Sequence, residues 1–212
     1  MVTILKNLIL VLIGDRYKSD LTKDNPYRGL SDEELVKTII KTNNTLLFGI
    51  IYDRYANKVY TKCSGFSWSD DEAADLTQDV FLTIYVKMGS FKGNSKFSSW
   101  VYALTYNFCV NYVNRNKARK MSEKSEKLDA NDHGMTFDVE DKSLFQMRSD
   151  KLKTVLEQIA PEDKAILLLK YQDDVPIKEL CAILDIGESA VKMRLKRAKA
   201  RLIETYNAKG IK

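Results

Sequence analysis

At 212 residues the chain has room for one large domain or two small ones, each burying a modest core. Hydrophobic residues at 44%, charged residues at 30%, and only three prolines and nine glycines describe a soluble globular chain of long helices and argue against a turn-rich sheet protein. The net charge of +5 is too small to define a partner, so the placement of the basic residues, concentrated at Arg115–Lys120 and Lys192–Arg201, matters more than their sum.

Residues 1–30 form an N-terminal extension to which the sequence assigns no role. Its apolar run Leu8–Ile13 is too short to span a bilayer and lacks a small-residue cleavage site, so no stable membrane insertion is expected. Ser31 followed by Glu34 is a capping box, and it opens a helix bearing Leu35, Val36, Ile39 and Ile40. A helix over about Thr45 to Cys63 carries Leu47, Ile50, Ile51, Tyr55, Val59 and Tyr60, a stripe that reads as core. A third runs from about Asp71 to Lys87, with Ala73, Leu76, Val80, Phe81 and Ile84 inward and Asp71, Asp75, Gln78 and Asp79 outward. Beyond a loop over Met88–Lys96 with two glycines, Phe97 to Lys117 reads as one long helix rich in aromatic residues and asparagines.

Residues 121–149 are polar and mixed in charge, the composition of a flexible linker. They separate a helical domain over 31–120 from a second over 150–212, the latter interrupted near Pro161 and before Pro176. Cys63, Cys109 and Cys181 are far apart in apolar helical settings and read as reduced core residues, pointing to a reducing, cytoplasmic compartment. His133 is the only histidine and lies in a polar stretch, so no histidine-based metal site or catalytic triad is expected, and no cofactor.

Three constellations carry chemistry. Asp71, Asp75 and Asp79 lie four apart on one helical face. That spacing admits a magnesium site, but no second acidic motif completes it, and a solvated face or a docking surface for a basic partner explains the same residues. Between Phe91 and Arg115, lysines, asparagines and serines alternate with rings, the mixture that single-stranded nucleic acid needs: rings stack on bases, amides bond to base edges and lysines follow phosphates. The alternative is that the rings fill the core, and for Phe97 and Phe108 that reading is preferred.

The third constellation opens with a short helix from Pro176, with Ile177, Leu180, Ile183 and Leu184 on its inner face, stopping near Asp185. A second helix from Glu188 places Val191, Leu195, Ala198 and Leu202 inward. Lys192, Arg194, Lys196, Arg197, Lys199 and Arg201 then face outward, costly self-repulsion unless a polyanion is the neighbour. Helix, tight turn and basic helix together form a helix-turn-helix.

EAADLTQDVF, then SFKGNSKFSSWVYALTYNFCVNYVNR, then the helix-turn-helix with VKMRLKRAKARL, resemble in order a bacterial sigma-70 family factor of the two-domain, extracytoplasmic-function type. The resemblance covers about 31–120 and 151–206. It implies an all-α fold of two small helical domains, the second containing the helix-turn-helix, and a dissociable specificity subunit rather than an enzyme. By resemblance, Asp75, Leu76, Gln78, Asp79 and Phe81 would dock on core RNA polymerase. Lys92, Asn94, Lys96, Phe97, Ser98 and Trp100 would capture a flipped base of the promoter -10 element, with Tyr102, Asn107, Asn111 and Arg115 continuing the DNA-facing side. Glu188, Ser189, Lys192, Met193, Arg194, Lys196 and Arg197 would read the -35 duplex in the major groove. An anti-sigma factor is a further partner the resemblance suggests.

Three positions depart from the family pattern. Asp185 stands at the usual glycine of the turn, Gly187 at the usual serine cap, and Ala190 where threonine is usual, which bears on affinity and sequence preference rather than fold. The other reading of the residues themselves is a regulator that binds duplex operator through the helix-turn-helix without polymerase.

Overall fold

The computed structural model describes residues 26–124 and 149–208; the run Leu8–Ile13, His133 and nearly all of 121–149 lie outside the described residues. Among the described residues every regular element is helical. Packing divides the chain into two units, Met1–Cys109 and Val110–Lys212, and the boundary falls inside one long helix.

In the first unit, α1 (Asp32–Thr42) starts where the capping box requires. The Ser31 hydroxyl accepts from the Glu34 N–H at 3.3 Å, and the Glu34 carboxylate accepts from the Ser31 N–H at 2.9 Å. The Ser31 side chain and then its N–H hold the Glu34 carboxyl below its usual range. A carboxyl depressed on folding stabilises the fold above its unfolded pKa and loses that contribution as pH falls through its folded value. The acid limb of an unfolding-midpoint-against-pH curve is therefore expected to be shallower for Ser31→Ala than for wild type, the gap narrowing at low pH to the part due to the lost hydroxyl cap, which does not titrate.

A 3-10 turn at Thr45–Leu47 leads into α2 (Phe48–Ser64), so the helix expected from about Thr45 begins a turn later as an α-helix. Then α3 (Asp70–Lys87) is capped by Ser69, whose hydroxyl accepts from the Glu72 N–H at 3.2 Å, while Glu72 reaches back to the Trp68 N–H. Asp70, Asp71 and Glu72 occupy its first turn, where the helix dipole favours negative charge. The inner faces of α2 and α3 pack together, with Phe48 and Tyr52 meeting Phe81 ring to ring and Ile51, Val59, Ala73, Val80 and Ile84 buried. After a 3-10 turn, Met88–Ser90, and a loop, α4 (Phe97–Lys124) begins; it runs past the Lys117 end expected from periodicity and passes from the first unit into the second.

Two of the three cysteines, Cys63 and Cys109, are the core residues expected, whereas Cys181 on the helix Ile177–Leu184 is only half-buried. Cys63 on α2 and Cys109 on α4 are far apart in sequence but meet in the core, Sγ to Sγ at 3.9 Å, both fully buried free thiols. Cys109 donates to Cys63 and draws the Cys63 thiol below its ordinary value.

The second unit contains α5 (Ser149–Leu156), α6 (Pro161–Leu167), a π-helical turn at Leu168–Gln172, α7 (Ile177–Leu184) and α8 (Glu188–Ala208). Pro161 occupies the start of α6, where a missing N–H costs nothing. Pro176 was expected at the corresponding position of α7, but it is instead the extended residue just before that helix, with φ -63° and ψ 148°. Val155, Leu180, Val191, Leu195 and Leu202 form the core, with α8 packed on α5, α6 and α7.

Candidate polymerase and nucleic-acid interfaces

On α3, exposure and burial separate the five residues expected to dock. Asp75 is exposed, and Gln78 and Asp79 are half-exposed beside it. Leu76 and Phe81 point the other way, at 2% and 4% exposure, and Phe81 meets the Phe48 ring edge-on. Leu76 and Phe81 are therefore core residues that hold α3 in place, and Asp75, Gln78 and Asp79 form its solvent-facing polar edge. Among the described residues no three histidine, cysteine, aspartate or glutamate side chains gather into a group that could hold a metal ion.

The loop before α4 presents Lys92, Asn94 and Lys96 to solvent. Gly93 between them sits at φ 74°, a left-handed turn that glycine adopts without strain. Behind the loop stands a cluster of three rings. Trp100 stacks on Phe97 with centroids 5.5 Å apart and planes at 24°, while Phe91 approaches both, at 5.2 Å from Phe97 and 5.7 Å from Trp100. Phe97 is fully buried and cannot touch a base, which corrects its place among the contact residues; it is the floor on which the half-exposed Trp100 rests. Ser98 is half-exposed, whereas Ser99 is buried.

Further along α4, Asn107, Asn111 and Arg115 are exposed at i, i+4 and i+8 of one helix, and Tyr102 is half-buried. Sequence reasoning missed what lies beneath Tyr102. Lys62 on α2 is only 6% exposed, and its ammonium lies 4.1 Å from the Tyr102 ring centre and 5.2 Å from that of Tyr106. The Lys62 ammonium also donates to the Tyr106 hydroxyl at 3.4 Å. A lysine three residues after Val59, on the apolar stripe of α2, was the available signal.

In the second unit α7 ends at Asp185, which takes the left-handed conformation at φ 53° and ψ 45°. Aspartate thus performs the turn for which glycine is the usual residue. The Gly187 carbonyl accepts from the Val191 N–H at 3.1 Å and starts α8. Glu188, Ser189, Lys192, Met193, Arg194 and Arg197 are exposed and Lys196 is half-exposed, while Val191, Leu195, Ala198 and Leu202 form the expected inner stripe. Glu188 and Lys192 pair one turn apart at 2.5 Å, which lowers the Glu188 pKa and raises that of Lys192.

Arg201 departs from the expectation for the basic face. Its guanidinium donates to both carboxylate oxygens of Asp163 on α6, at 3.1 and 2.8 Å, and Asp163 is buried. Arg201 is a bolt between helices.

Comparisons with known proteins fall on these two regions. The family described as Sigma-70 region 2 matches residues 51–119, and Sigma-70, region 4, matches 149–202. The chain is 26% identical over 172 residues to the ECF RNA polymerase sigma factor SigW of Bacillus subtilis, covering 77% of this chain and 90% of that protein. It is likewise 26% identical over 176 residues to the ECF RNA polymerase sigma-E factor of Escherichia coli K12, covering 80% of this chain and 91% of that one. Among solved structures, the sigma factor RpoE in complex with the anti-sigma factor NepR from Bartonella quintana shares the fold, with a TM-score of 0.53 at 17% identity, covering 76% of this chain and 96% of that one. CnrH in complex with the cytosolic domain of CnrY gives the same TM-score and identity, covering 84% and 97%.

Proposed function

The chain belongs to the bacterial sigma-70 family, of the extracytoplasmic-function type, and directs promoter recognition with RNA polymerase; from that premise we propose how its residues divide the work. The observation that carries the proposal is the pairing, in one chain, of an exposed helix-turn-helix with a separate ring-and-lysine loop. The first suits duplex DNA and the second an opened strand.

Asp75, Gln78 and Asp79 form the polymerase-facing edge of α3. Lys92, Asn94 and Lys96 steer the single strand, Trp100 offers a face to a base, and Tyr102, Asn107, Asn111 and Arg115 carry the strand along α4. In the second unit Arg194, Lys196 and Arg197 hold phosphates and base edges of the -35 duplex. Met193, 43% exposed amid those charges, is an apolar side chain suited to a thymine methyl group. Glu188 and Ser189 lie at the start of α8, the end that meets base edges in this motif, and Lys192 must leave Glu188 to reach a phosphate.

Energetics make polymerase necessary. Opening about ten base pairs costs on the order of 14 kcal/mol at a mean of about 1.4 kcal/mol per stacked step. Each base–ring contact returns only about 1–3 kcal/mol, so this chain alone does not melt a promoter. The role is that of a dissociable subunit without catalytic chemistry of its own, acting in the cytoplasm; no described helix is long and apolar enough to cross a membrane. Because both solved relatives were captured with partner proteins, an anti-sigma factor is proposed as the partner that holds this chain when it is idle.

The test is run-off transcription from genomic promoter fragments with and without core polymerase. Initiation that requires both chain and core is expected. Tight binding of duplex by the chain alone, with no initiation in the presence of core, would instead identify a polymerase-independent regulator. Within that assay, Arg197→Ala is expected to weaken -35 binding and to reduce the slope of log affinity against log salt by about 1, the signature of one lost phosphate contact. An unchanged slope would place Arg197 off the phosphate backbone.

A further inference from the structure

The start of α4 is held from outside its own helix. Glu33, in the first turn of α1, accepts a hydrogen bond at 2.8 Å from the backbone N–H of Phe97, the first residue of α4. That first turn of α1 is itself clamped to α2. Arg54 donates to Asp32 at 2.6 Å and to the carbonyls of Arg28 and Leu30 at 2.8 and 2.9 Å, and the Tyr55 hydroxyl donates to Asp32. The Tyr55 ring then meets the Phe97 ring edge-on at 5.9 Å. Phe97 is thus gripped at its backbone by Glu33 and at its ring by Tyr55, and Trp100 stacks on Phe97.

A carboxylate there does two things. It satisfies one of the orphan N–H groups at the helix start, and it occupies the positive end of the helix dipole, where a phosphate would otherwise bind. With that position filled, the strand's phosphates are left to Lys92 and Lys96, and the base is left to Trp100.

We propose that Glu33 is a positioning residue for strand reading: by capping α4 at Phe97 it fixes the Phe97–Trp100 stack on which the flipped base rests. The proposal builds on the functional reading above and adds to it a residue from α1, which makes no other contribution to the candidate interfaces.

The test uses full-length wild type, Glu33→Ala and Glu33→Gln, each assembled with core polymerase. The probe is the oligonucleotide that wild-type holoenzyme selects from a random single-stranded DNA pool. Glu33→Ala is expected to weaken binding of that strand about tenfold, the range of a lost helix cap, with affinity for core polymerase unchanged. Glu33→Gln keeps an acceptor oxygen and is expected to restore strand binding to within about twofold. The inference is overturned if the alanine variant binds the strand as wild type does, if it loses core affinity by the same factor, or if glutamine is as weak as alanine. Wild-type holoenzyme selecting no strand at all would instead count against the strand-reading function itself.

Discussion

Trp100→Ala is expected to lower the yield of open complex by about tenfold or more, because a base–aromatic stack is worth about 1–3 kcal/mol. Affinity for core polymerase is expected to stay near wild type, since the proposed polymerase-facing edge lies on α3. The geometry explains why Trp100 is the ring to remove. Phe97 is fully buried, whereas Trp100 and Phe91 are both half-exposed, and of these two Phe91 packs on both of its ring neighbours while Trp100 is the ring proposed to take the flipped base. Removing Phe97 would also disturb Tyr55, Phe91 and the start of α4, and would report on folding more than on strand capture. Permanganate footprinting of open complexes beside a core-binding titration separates the two outcomes; equal losses in both would make Trp100 a packing residue.

Arg201→Ala is expected to destabilise the second unit by about 1–3 kcal/mol, the cost of leaving a buried acceptor without its partner. The two ends of this pair are unequal. The Asp163 side chain is 11% exposed and the Arg201 side chain 47%, so losing the arginine strands a buried carboxylate, whereas losing the aspartate frees a guanidinium to reach water. Asp163→Ala is therefore expected to cost less than Arg201→Ala, and both should lower -35 affinity in proportion to the unfolded fraction, without changing the salt slope. Denaturant unfolding followed by circular dichroism, with duplex binding measured at several salt concentrations, checks both points. A normal midpoint for Arg201→Ala together with a shallower salt slope would return Arg201 to the DNA-binding face. Arg197→Ala provides the contrast: four residues earlier on α8 and exposed, it should move the salt slope and leave stability alone.

The helical elements rest on local signals that survive without tertiary information. Ser31 and Glu34 form their box because both partners lie within one helical turn. The inner stripe of α8 is a period-3.6 pattern, and the left-handed turn at Asp185 follows from a short polar side chain that tolerates positive φ. Each of these depends on residues a few positions apart.

What the sequence alone determined was therefore the all-helical architecture, the order of the two DNA-reading motifs and the polar edge of α3. Contacts between distant segments were decided only in three dimensions. Whether an aromatic or a basic residue faces solvent or a neighbouring helix depends on which helix packs opposite, and helical periodicity does not encode that choice. Thus Phe97 became a buried floor with Trp100 half-exposed upon it, Leu76 and Phe81 became core, Arg201 became a bolt to Asp163, and Cys63 met Cys109 across the core. The Glu33 cap on Phe97 is of the same kind: 64 residues of chain separate its partners, and only the docking of α1 against the start of α4 brings carboxylate and N–H together.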